Sequence, residues 1–189
     1  VLNAIETIPR ELFLPSNFHS YAYKNNPLPI GFEQTISQPY IVALMTEALN
    51  LKGNEIILEI GTGSGYQTSV LSLLSSRVYS IARIKPLLVN ALLCFKKLKL
   101  TNIVSKHDDG FLGWPKLAPF DHLIITCAIK KIDDRLLNQV RYNGICIAPV
   151  ATSLNQQRLK KIIVKDKRES DIWEDLGEVS FVPLVSDYD

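Results

Sequence analysis

Between Glu59 and Asp108 the chain carries no acidic residue, although Asp and Glu together number 19 in its 189 residues. Arg77, Arg83, Lys85, Lys96, Lys97, Lys99 and Lys106 therefore stand unopposed there, most simply as a solvated helix face. Cysteine is scarce. Cys94, Cys127 and Cys146 are odd in number, widely spaced and set in apolar runs, which suits buried reduced thiols better than a disulfide or zinc framework, with the cytoplasm as the expected location. No apolar run reaches the roughly 18 to 20 residues of a membrane span, and no signal peptide is visible. The net charge of +2 and pI near 8.4 are too mild, and the basic residues too dispersed, to imply a nucleic-acid partner. The sequence opens at Val1 and not Met, so the expectation is of a truncated or processed start.

What is present is enough for one core: 47% hydrophobic residues over this length predict a single domain, 1–189. Residues 1–50 read as a layer over the larger core, because prolines and aromatics crowd the first 30 (Pro9, Phe13, Pro15, Phe18, Tyr21, Tyr23). Proline breaks regular ladders while the aromatics still seek burial. From Pro39 to Leu49 the apolar spacing is helical, with Ser37 placed as its N-cap. Beyond Glu55 strands and helices alternate: strands near 55–60, 77–82, 102–105, 121–126 and 144–149, and helices near 65–76, 85–98 and 132–141. Such alternation with branched, apolar strands predicts an α/β fold with a mostly parallel sheet covered on both faces. Residues 159–165 and 178–184 read as two antiparallel strands closing one edge.

The strand Ile56–Ile60 empties into Gly61-Thr-Gly-Ser-Gly65 and then a helical pattern. Glycines there permit a sharp turn and close approach of a ligand to backbone amides, as nucleotide-like cofactors require. The spacing is not the dinucleotide fingerprint: the third glycine comes one position early and the acid expected about 20 residues on is missing. Arg83, just past the next strand, leaves an NADP-dependent oxidoreductase open as an alternative, since a cation there suits a 2′-phosphate. No catalytic Tyr/Lys pair at helical spacing accompanies it. His107 and His122 lack metal-ligand spacing, so no metal is expected.

Further segments narrow the reading: Pro27–Tyr40 with its core Gln34-Thr-Ile-Ser-Gln-Pro39, Leu58–Gln67, Val78–Ile81, Asp109-Gly-Phe-Leu-Gly-Trp-Pro115, Ala118–Asp121 and Phe181-Val-Pro-Leu184. Together they resemble the protein-L-isoaspartate O-methyltransferases, over about Ile5 to Val185. The resemblance implies a Rossmann-like, three-layer S-adenosylmethionine-dependent methyltransferase sandwich with antiparallel edge strands. It implies methyl transfer to the stray α-carboxylate of isoaspartyl residues in damaged proteins, which starts repair through a succinimide. By the same resemblance Ser37 matches the active-site serine, an orienting hydrogen-bond donor and not a nucleophile. Thr35, Ile36 and Gln38 match its cofactor-contacting neighbours, Glu59, Gly61, Thr62, Gly63 and Gly65 the cofactor loop, and Asp109 with Gly110 the pair beside the adenine. A monomer is expected on the same ground.

The chain departs from the family pattern at Ala82, where an acid usually accepts hydrogen bonds from the ribose hydroxyls. Loss of a charged acceptor costs about 1.5 to 3 kcal/mol, or ~10- to 150-fold in affinity. Glu33, Asp108, Asn143 and Ala151 stand where glycine is usual, and Glu33 is expected to narrow the substrate mouth. A second alternative is therefore a catalytically impaired relative that keeps the fold as a peptide- or partner-binding module.

Overall fold

The computed structural model describes residues 1–153, 156–166 and 170–186. Its centre is a seven-stranded sheet in the order β5-β4-β3-β6-β7-β8-β9. The parallel part comprises β3 (Ile56–Ile60), β4 (Arg77–Ala82), β5 (Ile103–His107), β6 (Phe120–Ile125) and the start of β7 (Val140–Ser153). β8 (Gln156–Ile163) and β9 (Ile172–Val179) continue it antiparallel. The strand order reverses beside β3, so the ends of β3, β4 and β6 open a crevice where ligands of α/β sheets bind.

Alternate residues of the central strands feed opposite layers. Leu58, Ile60, Leu123 and Ile125 pack on one side with Phe120 and Leu136, while Ile57, Val78, Ile124 and Ile147 face Met45 and Leu49 of helix α2 (Pro39–Ala48) and its end on the other. All but a trace of these side chains is removed from water, worth about 1.5 to 3 kcal/mol for each large one. A third cluster joins the N-terminal residues to helices α3 (Tyr66–Ser72) and α4 (Lys85–Lys97). Arg10 anchors that layer. Its Nε donates to the Ala22 carbonyl at 2.7 Å, its guanidinium lies 5.2 Å from the Tyr66 ring centroid, and burial pulls its pKa down to about 10.

Several elements differ from the sequence expectation, each for an identifiable physical reason. The N-terminal 50 residues include a short helix α1 (Leu2–Thr7) and a hairpin, β1 (Leu28–Gly31) with β2 (Gln34–Ile36), which the prolines concealed. Its tip has neither Gly nor Asn: Phe32 and Glu33 take φ of 53° and 57°, a left-handed conformation that glycine would adopt without strain. Helix α3 stops at Ser72, short of 76. The side-chain amide of Asn102 donates to the Ser72 and Ser75 carbonyls at 2.8 and 3.1 Å and satisfies the helix end. The helix expected over 132–141 is only α5 (Asp134–Leu137), because the Phe120 amide takes the Gln139 carbonyl into the β6–β7 ladder at 2.8 Å.

The last strand lies upstream of 178–184. Cross-strand pairs of Lys161 with Glu174, and of Arg158 and Lys160 with Asp175, fix β9 at Ile172–Val179. The segment after it instead runs to the sheet end. There the Ala128 amide donates to the Val182 carbonyl and the Leu184 amide to the Ala128 carbonyl, both at 2.8 Å. Cys127 and Cys146 are buried and Cys94 half-buried, all as free thiols.

Candidate active site

Two cavities open at the crevice. The first, about 930 Å³ with its mouth included, is floored by Gly61–Ser64 and walled by Ile81–Ile84 at the end of β4, Thr35–Ser37 after the hairpin, and Val182–Val185. The second, about 940 Å³, lies between Gln38 and Ile41 on one side and Glu178–Val182 on the other. Thr35, Ser37, Thr126 and Val182 line both.

The floor is shaped by a buried polar network. Glu59 is fully buried; its Oε2 accepts from the Ser80 hydroxyl at 2.6 Å and from the Thr68 hydroxyl, and Ser80 meets the Thr62 hydroxyl at 2.6 Å. Burial raises the Glu59 carboxyl to about 7, outweighing the two hydroxyl donors, which lower it. Its Oε1 has no partner among the described residues. The amides of Gly61 and Thr62 both reach the Ile81 carbonyl, at 2.9 and 3.1 Å, and so bend the chain across β4. The Thr126 hydroxyl donates to the Gly61 carbonyl at 2.6 Å. A Cβ on Gly61 would collide with that hydroxyl, and one on Gly65 would come within 2.7 to 2.8 Å of Phe95 and Ala91. Gly63 has φ of 53° and nothing nearer than Ile30 at 3.7 Å. The Gly63 and Ser64 amides make no hydrogen bond to a described residue.

Of the residues singled out in the sequence, Thr35, Ile36, Ser37, Gly61, Thr62, Gly63 and Gly110 line the first cavity, and Gln38 lines the second. Glu59 and Gly65 stand behind the wall, bracing the loop. Asp109 is also buried: its carboxylate accepts from the Phe111 amide and the Ser186 hydroxyl, both at 2.8 Å, which holds the turn carrying Gly110. At Gly110 a Cβ would strike Ile60. Ser37 is not the N-cap of α2. Gln38 holds that position with extended backbone, Pro39 follows at the first turn, and no side chain caps. The Ser37 hydroxyl, engaged by no described residue, is left to the cavities.

Sequence reasoning missed Thr126, which braces Gly61 and lines both cavities, and the Thr68–Ser80 pair that holds Glu59. The available signal was hydroxyls interrupting otherwise apolar stretches at 68, 80 and 126. Glu33 is exposed at the hairpin tip and lines neither cavity, so it does not narrow the mouth. His122 Nδ1 accepts from the Ile145 amide at 3.0 Å, inside the sheet, and burial lowers its pKa. Among the described residues no group of three His, Cys, Asp or Glu is placed to hold a metal ion, and no helix is long and apolar enough to cross a membrane.

Comparison with known proteins agrees with this geometry. A model of the protein-L-isoaspartate(D-aspartate) O-methyltransferase family matches residues 1–189. A protein-L-isoaspartate O-methyltransferase of Dictyoglomus thermophilum is 48% identical over 188 residues, covering 100% of this chain and 84% of the relative. One from Aliivibrio salmonicida is 50% identical over 186 residues, covering 98% and 88%. A solved protein-L-isoaspartate O-methyltransferase superposes with a TM-score of 0.86 at 26% identity, covering 97% of this chain and 62% of that one. A Plasmodium falciparum structure of that description, in complex with S-adenosyl-L-homocysteine, gives 0.81 at 24% identity, covering 97% and 88%, and so shares the fold. With the match running from end to end, the oxidoreductase alternative falls away, and the chain belongs to the protein-L-isoaspartate(D-aspartate) O-methyltransferase family.

Proposed function

We propose that this chain transfers a methyl group from S-adenosylmethionine to the α-carboxylate of isoaspartyl residues in proteins and peptides, and that residues 1–50 serve as a layer over the site of a single domain. The observation that carries the reading is the position of Ser37 on the wall shared by the two cavities. A methyl donor in the first and a carboxylate in the second would meet there.

The residues present suit the donor. The first cavity offers apolar walls at Ile60, Ile81, Ile84 and Leu87 for an adenine ring, and the Gly63 and Ser64 amides for a carboxylate. When bound, S-adenosylmethionine supplies a methyl group on a positively charged sulfur. Thr35 and Ile36 are assigned to the donor's reactive end, Gln38, which lines the second cavity, to its boundary with the acceptor, Gly61, Thr62 and Gly63 to direct contact along the floor, and Gly110 to the adenine side. Glu59, Gly65 and Asp109 act from behind, holding those contacts in place. The acceptor carboxylate, with an ordinary pKa near 4, is already ionised at neutral pH and needs no general base. What the protein must provide is orientation and removal of water. Ser37 does the first by donating its hydroxyl proton in a hydrogen bond to a carboxylate oxygen, and the hairpin with the 182–185 segment does the second.

The test pairs calorimetric titration of S-adenosylhomocysteine with methyl transfer to an isoaspartyl peptide and its aspartyl twin. Transfer to the isoaspartyl peptide alone is expected. Failure of the product analogue to bind at millimolar concentration would overturn the reading in favour of a peptide-binding module. Ser37→Ala is expected to lower turnover ~10- to 150-fold, the worth of a hydrogen bond to a charged group, with little change in melting temperature. An equal loss of folding and activity would reduce Ser37 to a structural residue.

A further inference from the structure

In crevices of this kind an acid at the end of the second strand, about 20 residues past the glycine loop, grips the ribose hydroxyls. Here that strand is β4, and it ends at Ala82, which lines the first cavity and is 3% exposed. The neighbouring lining is Ile81, Arg83, Ile84 and Leu87; Arg83 is exposed and can only donate, and among the described residues no Asp or Glu lines this cavity.

None of the nearby carboxylates, Glu59, Asp108 and Asp109, lines the cavity. Glu59 turns Oε2 to Thr68 and Ser80 behind the wall. Asp108 pairs with Lys106 at 2.6 Å and accepts from the Asp109 amide at 2.9 Å, and it lines neither cavity. Asp109 holds the Phe111 amide and the Ser186 hydroxyl. The Ala82 and Arg83 carbonyls are also occupied, by the Asp108 amide at 3.1 Å and His107 Nε2 at 2.9 Å.

We infer that the ribose end of the first cavity holds no carboxylate to read the ribose hydroxyls, so that this chain accepts adenine nucleosides whose 2′- or 3′-hydroxyl is removed or methylated. The inference rests on the cofactor reading above and goes beyond it to the range of nucleosides admitted. A site with a charged acceptor rejects a ligand lacking the matching hydroxyl by about 10- to 150-fold, because the buried acceptor is left unpaired. With alanine in its place no buried acceptor is left unpaired, and the room an acid side chain would fill stays open to a methyl group.

The experiment is calorimetric titration of the full chain with S-adenosylhomocysteine and with its 2′-deoxy, 3′-deoxy and 2′-O-methyl analogues. The four dissociation constants are expected to fall within about fivefold of one another. A loss of fivefold or more for any analogue overturns the inference, since another group would then be reading the ribose. In Ala82→Glu the parent ligand should bind at least ~10-fold tighter while the analogues fall behind it by a similar factor; equal affinities in the two proteins would also overturn it. If Ala82→Glu does not fold, the wild-type panel decides alone. Absence of binding by S-adenosylhomocysteine itself would sink the cofactor reading and the inference together, an outcome distinct from selective loss of the analogues.

Discussion

The first cavity is bounded by two strand ends that solve the same problem differently. After β3 the chain turns through Gly61–Gly65 over a buried carboxylate, three hydroxyls and amides shared with β4. After β4 it passes through Ala82, Arg83 and Ile84 into α4, with the Ala82 carbonyl taken by the Asp108 amide and the Arg83 carbonyl by an exposed histidine. The first turn is over-determined, because removing any one group leaves a buried polar partner behind. The second has no buried carboxylate beneath it, so substitutions at Ala82 act mainly on what the cavity admits.

The difference is broken most directly at Gly65. Its φ of 88° is left-handed and a Cβ would press on Phe95 and Ala91, so Gly65→Ala combines backbone strain with overpacking. A loss of about 3 kcal/mol in urea unfolding is expected. Gly63→Ala is the control: φ is also positive but the space is open, and only about 1 kcal/mol should be lost. Equal losses would mean that packing behind the loop contributes nothing.

Glu59 offers a test through pH. Its carboxyl is raised from 4.5 to about 7 by burial, so between these values the folded state holds a proton that the unfolded state has released. Stability from this group is therefore full below about pH 4.5 and lost as pH rises through about 7, by ~3 kcal/mol in all. Glu59→Gln removes the titration, and its stability relative to wild type should improve by about that amount from pH 4.5 to 8. A constant difference across that range would show that the carboxyl is not governed by burial.

Much of this was legible in the sequence because the central strands are nearly uniform in branched apolar residues and the glycine loop follows one of them directly. β3, β4 and α4 fell within about a residue of their expected bounds for that reason. What escaped was set by partners distant in sequence. Asn102 ends α3, the β6 ladder shortens α5, and cross-strand charges place β9. The same holds in the site: Ser37 looked like an N-cap because spacing cannot tell that Gln38 and Pro39 take the helix start. Ala82 could be read as a missing acid, but only the committed bonds of Asp108 and Asp109 reveal that no neighbour takes its place.

The smallest effect is expected on the β4 side. His107 is exposed, and its Nε2 meets the Arg83 carbonyl at 2.9 Å just beyond the β4–β5 pairing of Ala82 with His107. In His107→Ala water can replace the ring nitrogen at that carbonyl, so no buried group is orphaned and the net loss should stay below about 1 kcal/mol. The Asp108 amide, which still holds the Ala82 carbonyl, keeps the strand end in register. Urea unfolding of His107→Ala beside Gly65→Ala checks the contrast on one scale. A loss near 3 kcal/mol for the histidine variant would mean that the turn after β4 is as tightly determined as the turn after β3.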